Sequence, residues 1–235
     1  MIILGHRGYS TKYPQNTLLA FKKAIEYGAD GVELDVWKTA DGKIVVSHDN
    51  NLKKTYGVDV NVKDSTYESL LQYRQEGERM PLLEEVYDAL PETAIINVEI
   101  KDVEAVEGAY NIVKSHNALK RTIFSSFELK ALKNLRRLSE DARIAILTAF
   151  GGNASFISLP YYFLRVRAEF LNPPILMKKY IGVKKTRWLI KFYRMFGVKI
   201  GFWTVNEEKE ISGLEDLCEI LITDEVERML PYKEK

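Results

Sequence analysis

Apolar residues come in short runs along this chain, and the polar residues that break them fall at the same point of each run, its C-terminal end. Ile2-Ile3-Leu4 predicts a buried first strand that stops at Gly5-His6-Arg7-Gly8. Pro14-Gln15-Asn16-Thr17 opens a helix with Asn16 as the expected cap, an apolar stripe of Leu18, Phe21 and Ile25, and a stop at Gly28. Gly31-Val32-Glu33-Leu34-Asp35-Val36 is a strand. Side chains alternate along it, so Val32, Leu34 and Val36 share one face and Glu33 and Asp35 the other. Asp41-Gly42 is a hairpin signal, and 43–49 returns as an apolar strand ending near His48.

Residues 49–80 lose the periodicity and read as an insertion with one short helix near 67–73. Pro81 then suits the first turn of a helix faced by Leu83, Val86 and Leu90. Beyond it, strands at 94–100, 122–125, 142–147, within 165–171, at 198–203 and at 219–222 alternate with helices at 103–116, 129–139 and 186–196, and Asn206 is expected to cap a further helix. Eight βα-type strands in a chain of 235 residues predict a TIM (β/α)8 barrel with a small insertion after the second strand, in one domain over 1–235. In such a barrel the C-terminal strand ends carry the chemistry. His6, Arg7, Glu33, Asp35, Glu99, Lys101, Ser125, Thr148, Asn172, Trp203 and Asp224 all fall there.

Glu33 and Asp35 would be a costly pair to bury without a cation, a proton or open water to offset their charge. Asn97-Val98-Glu99-Ile100-Lys101 repeats the alternation on another strand, so Glu99 can join them. Three converging carboxylates suit a hard divalent metal bound by oxygen. Cys218 is the single cysteine, which excludes an intrachain disulfide and a thiolate-rich metal site. The net charge of +1 gives no reason to expect nucleic acid as a partner. No signal peptide and no run long enough for a membrane span are seen, so a cytoplasmic location is the default expectation.

His6-Arg7-Gly8, Pro14-Gln15-Asn16-Thr17, residues 28–36, Thr39-Ala40-Asp41-Gly42, Val46-Ser47-His48-Asp49, Val98-Glu99-Ile100-Lys101, Phe124-Ser125-Ser126-Phe127 and Trp203-Thr204-Val205-Asn206 together resemble the glycerophosphodiester phosphodiesterases. The resemblance covers nearly the whole chain. It implies a TIM barrel that cleaves glycerophosphodiesters to glycerol 3-phosphate and an alcohol with Mg²⁺ or Ca²⁺, Mn²⁺ being a further possibility. Two departures stand out. Gln15 occupies the place of a family glutamate, and Thr223-Asp224-Glu225 lacks the proline often found next.

The expected roles combine that resemblance with residue chemistry. Glu33, Asp35 and Glu99 hold the metal, and His6 and His48 act as general base and acid. Arg7 and Lys101 contact the phosphate, while Phe127 and Trp203 line the glycerol or alcohol. His116 is expected to be structural, and Lys101 could instead only pair with Glu99. Two enzyme alternatives are a lysophospholipase D-like activity and a phosphodiesterase that stops at the cyclic phosphate. A third alternative is a non-catalytic barrel that binds a phosphorylated ligand. Residues 161–199 hold ten Lys/Arg against Glu169 alone, interleaved with aromatics. An ordinary barrel helix with a solvated basic face is the preferred reading of that stretch, and peripheral contact with an anionic membrane is the alternative.

Overall fold

The computed structural model describes residues 1–149 and 159–233. In chain order the elements are β1 (Ile2–His6), α1 (Leu18–Glu26), β2 (Gly31–Lys38), β3 (Ile44–Val46), α2 (Lys53–Tyr56), α3 (Tyr67–Leu70), β4 (Arg74–Gln75), β5 (Glu78–Arg79) and α4 (Leu83–Ala89). They continue as β6 (Ile95–Ile100), α5 (Val106–Ser115), β7 (Thr122–Ser126), α6 (Leu129–Leu138), β8 (Arg143–Leu147), α7 (Leu159–Val166), β9 (Phe170–Asn172) and α8 (Met177–Arg194). The chain closes with β10 (Lys199–Phe202), α9 (Glu208–Ile211), β11 (Ile220–Thr223) and α10 (Val226–Met229).

Parallel pairing runs β1-β11-β10-β9-β8-β7-β6-β2, and β1 also pairs with β2, so the sheet closes into the expected barrel. Strand alternation builds its two cores. Outward residues such as Val32, Leu34, Ile96, Val98 and Phe124 pack against Phe21, Val86, Val113 and Leu132 of the helices. Inward residues Leu4, Ile123, Ala145, Phe170, Ile220 and Ile222 fill the barrel. The register fixes where the inward acids stand. Glu33 is opposite Asn97, and Asp35 is opposite Glu99. Gly31 must lack a side chain, since a Cβ there would lie 1.9 Å from the Ile95 carbonyl oxygen.

The insertion follows β3, which is antiparallel to β2. It contains α2, α3 and the β4–β5 hairpin, more structure than the single helix expected. It buries Leu52, Val62, Leu70 and Met80 against Val45 and Trp37 in a small core of its own. Its scattered aromatic and aliphatic positions follow neither helical nor strand period, so periodicity could not find them.

Five other expectations are corrected. Thr17, not Asn16, caps α1, its hydroxyl accepting from the Ala20 amide. Pro81 precedes the N-cap Leu82 rather than opening α4. The strand placed within 165–171 is β9, shifted towards its C-terminal end, because 159–166 is helical. The basic helix is longer than 186–196. It begins at Met177 and breaks at Gly182, whose φ of +78° is a left-handed value glycine adopts freely. His48 and Trp203 stand just beyond their strands rather than within them.

Candidate active site

Glu33, Asp35 and Glu99 meet inside the barrel mouth, where β2 and β6 run side by side. They are 4%, 1% and 9% exposed, and one oxygen from each lies within 4.8 Å of the others. Arg7 and Lys101 enter the same space. Arg7 is held with φ +56° by the turn after β1, so that its amide donates to Glu33 (3.1 Å) and its Nε lies 3.3 Å from Asp35. Lys101 Nζ bonds Glu99 at 2.6 Å and lies 3.1 Å from Asp35 Oδ1. The expected pairing of Lys101 with Glu99 is therefore present, with Asp35 as a second partner.

This crowding sets the charge state. Burial, then Asp35 and Glu99, push Glu33 well above the usual carboxylate range. Burial and the Asp35 charge raise Glu99 to about 7. Burial would raise Asp35 too, but Lys101 and Arg7 outweigh it and hold Asp35 below its ordinary value. Lys101 loses by burial, yet Asp35 and Glu99 raise it.

A hard cation fits this donor set. All three candidate ligands are oxygen donors on rigid strands, and Asp35 Oδ1 is buried with no well-aligned hydrogen bond among the described residues. Because burial and mutual repulsion push Glu33 up and raise Glu99 to about 7, cation binding near pH 7 is expected to release protons, with affinity rising from about pH 6 to 8. Calorimetry in buffers of different ionisation enthalpy measures this. An affinity flat over that range would contradict the ligand assignment.

The two histidines stand at the same cavity, each tied by Nδ1 to a carboxylate. His6 Nδ1 is 2.7 Å from Asp224 Oδ1, and His48 Nδ1 is 2.9 Å from Asp49 Oδ1. With Nδ1 carrying the proton towards the acid, each Nε2 is left able to exchange protons. His6 Nε2 lies 4.0 Å from Glu33. Burial lowers His48, which Asp35 partly opposes and Lys101 and Arg7 reinforce, so the ring is neutral near pH 7.

Asp224 is the functional residue that sequence reasoning placed at a strand end without a role. It accepts from Ser10 (2.8 Å) and from Asn206 Nδ2 (2.8 Å), and Asn206 Oδ1 accepts from the Asp224 amide. Asn206 is thus an Asp224 anchor, and Glu207 caps α9 instead. Burial and His6 act on Asp224 in opposite senses. Burial raises it, but the hydrogen bonds and charge of His6 win and bring it to about 2. The residue after an apolar last strand was the available signal; that it meets β1 follows only from barrel closure. An Asp224→Asn variant should lose about tenfold to a hundredfold in kcat, less than deleting a histidine, because the imidazole keeps its place but not its tautomer. Unchanged kcat would remove Asp224 from the site.

Among the described residues Gln15 makes no hydrogen bond to the carboxylates. Its Oε1 accepts from Arg7 (2.9 Å), while Asn16, with φ +57°, donates to Asp35 (2.9 Å). Phe127 and Trp203 meet edge to face, 5.7 Å between centroids, and form one wall. The cleft of about 470 Å³, including its open mouth, is lined by His6, Arg7, Glu33, His48, Glu99, Lys101, Phe127 and Trp203 among others. That size suits a small polar ligand. His116 lies elsewhere. It ends α5 and bonds the Ile112 carbonyl and Asp88.

Known proteins resemble this chain over most of its length. Residues 6–228 match the glycerophosphoryl diester phosphodiesterase family. A glycerophosphodiester phosphodiesterase of Caldanaerobacter subterraneus subsp. tengcongensis is 31% identical over 97% of this chain and 96% of that one. A human lysophospholipase D is 28% identical over 91% of this chain and 80% of its own. The crystal structure of a glycerophosphodiester phosphodiesterase from Thermotoga maritima aligns with a TM-score of 0.86 at 36% identity, covering 100% of this chain and 98% of that one. With the match running from His6, at the end of the first strand, to beyond Asp224, at the end of the last, the chain belongs to the glycerophosphoryl diester phosphodiesterase family.

Proposed function

We propose that the protein hydrolyses glycerophosphodiesters to sn-glycerol 3-phosphate and an alcohol, with a divalent cation bound and with His6 and His48 sharing the proton transfers. One observation carries this reading. Two imidazoles, each fixed through Nδ1 by its own aspartate, border one cleft whose floor is a cluster of three buried carboxylates.

Glu33, Asp35 and Glu99 are the residues that would hold Mg²⁺, Ca²⁺ or Mn²⁺, which supplies positive charge to the phosphate oxygens and lowers the barrier to attack at phosphorus. Arg7 offers forked donors to the same oxygens. Lys101 keeps the carboxylates from repelling the substrate. The glycerol 2-hydroxyl is the nucleophile nearest its own phosphorus. One histidine removes its proton as the O–P bond forms, and the other protonates the departing alcohol oxygen. The resulting cyclic phosphate is opened by water with the two roles reversed, which restores both histidines. His48, neutral near pH 7, is able to accept a proton at the outset. Phe127 and Trp203 exclude water from one side of the glycerol.

A second reading concerns the substrate's size. An apolar groove lined by Pro174, Leu176 and Tyr180 adjoins the cleft through Trp203. An acyl chain on the glycerol could lie there, which would extend the substrates to lysophospholipids.

The test is phosphorus NMR of the products from glycerophosphocholine and from lysophosphatidylcholine, with Mg²⁺, Mn²⁺ or Ca²⁺ added to chelated protein. Metal-dependent glycerol 3-phosphate is expected from the first, and lysophosphatidic acid from the second if the groove is used. A cyclic phosphate that accumulates and persists would overturn hydrolysis as the end point. No product from either diester with any ion would overturn the assignment.

A further inference from the structure

The outer face of α8 carries aromatic side chains beside its charges. Its inward residues Thr186, Ile190 and Tyr193 are buried against the barrel, as the helix period requires. On the opposite side, Lys184, Trp188, Lys191 and Met195 follow one another at spacings of four, three and four residues and so share one stripe. Trp188 is 69% exposed and Met195 75%. Phe192 stacks on Trp188 at 6.1 Å and meets Phe196 at 5.4 Å, and Phe196 is itself 52% exposed. A helix facing only water has no use for an aromatic ladder on that side.

The charge carried by α8 itself has a single sign. No Asp or Glu occurs between Glu169 and Glu207. The acids that approach from neighbouring elements are already engaged, Asp216 by Arg187 and Glu219 by Arg194. Lys179, Lys184, Lys185 and Lys191 have no ion-pair partner among the described residues. A second copy of the same surface would bring like charges together, whereas an anionic lipid surface complements them. Aromatic side chains between long lysines are also the arrangement that seats in a headgroup layer, with the rings in the interface and the ammonium groups reaching out to phosphates. No helix among the described residues is long and apolar enough to cross a membrane, so the contact is peripheral.

We propose that the Trp188–Phe196 face of α8 docks the protein on the surface of an anionic bilayer. The N-terminal end of the same helix lies at the active-site mouth, where Leu176 and Tyr180 border the apolar groove beside Trp203.

The experiment is co-sedimentation of the full chain with vesicles of phosphatidylcholine alone or mixed with phosphatidylglycerol, at low and high salt. Binding is expected only to the anionic vesicles, weakening as salt rises. The Lys184→Glu/Lys191→Glu double variant should partition about tenfold or more weakly, since each basic residue near an anionic surface contributes measurably to binding. Trp188→Ala should weaken binding even at low salt, which charge alone would not produce. Both variants should keep wild-type activity on dissolved glycerophosphocholine, which shows that they are folded. Absence of binding to anionic vesicles at low salt would overturn the proposal. So would sedimentation as a dimer that Trp188→Ala dissociates, with no vesicle binding by the wild-type chain.

Discussion

His6→Ala and His48→Ala proteins should each lose about 10²–10⁴ in kcat on glycerophosphocholine, the usual contribution of one positioned acid–base group. The fold should survive, because both side chains stand at the barrel mouth and neither belongs to the apolar clusters that hold the barrel together. KM should change little, since Arg7 and the carboxylate cluster remain to bind phosphate. The loss should be in chemistry on both steps, so neither variant should accumulate the cyclic phosphate in quantity. The wild-type pH profile offers an independent check. A histidine that must be neutral is protonated as pH falls, and burial sets His48 below its ordinary 6.5. If His48 is the base in the limiting step, the acid limb of kcat/KM lies below pH 6.5 and disappears in His48→Ala. Full activity in either alanine variant, with the far-ultraviolet circular dichroism unchanged, would refute the two-histidine reading.

Removing the cation should cost at least as much. Chelation is expected to lower activity by about 10³-fold or more, and readdition to restore it, because the charge that stabilises the phosphoryl transition state is lost. Asp35→Asn should resemble the chelated enzyme, for a second reason specific to this site. Asp35 is the carboxylate that Arg7 and Lys101 both face, so its neutralisation leaves two buried cations with less counter-charge.

The metal-free protein should also show a characteristic stability profile. Glu33 and Glu99 have folded pKa values above the ordinary 4.5 of the unfolded chain. As pH rises from that value, the unfolded state releases protons first, so the metal-free fold loses stability up to about pH 7. Added cation should reverse that loss. Thermal unfolding of the chelated and reloaded enzyme across this range measures both effects. A metal-free fold that gains stability from pH 5 to 7 would contradict the raised carboxylates.

Much of this was legible before any coordinates. Strand alternation alone put Val32, Leu34 and Val36 on one face and Glu33 and Asp35 on the other, because a period of two leaves no other choice; closure of the barrel turned the acids inward. The second carboxylate strand, the glycine-flanked His6-Arg7 turn and the placement of polar residues at strand ends followed from the same local rule. The family resemblance then named the reaction class. What local pattern could not reach were contacts set by barrel closure. Asp224 and His6 are 218 positions apart, and they meet only because β11 pairs with β1. Asn16 looked like a helix cap because its chemistry permits that role; the turn instead holds it at φ +57° with its amide on Asp35, and Thr17 takes the cap. Asn206 was displaced in the same way, by the need to anchor Asp224. The upward shift of Glu33 and Glu99 depends on how closely three acids and two bases pack in three dimensions. The basic stretch showed its composition in sequence, but only the packed α8 shows which side faces outward, and that side carries Trp188 and Phe196 beside the lysines. Sequence determines which groups are present and which face of an element they share. Which of those faces meet depends on closure of the sheet, and the charge states and partners follow from that meeting.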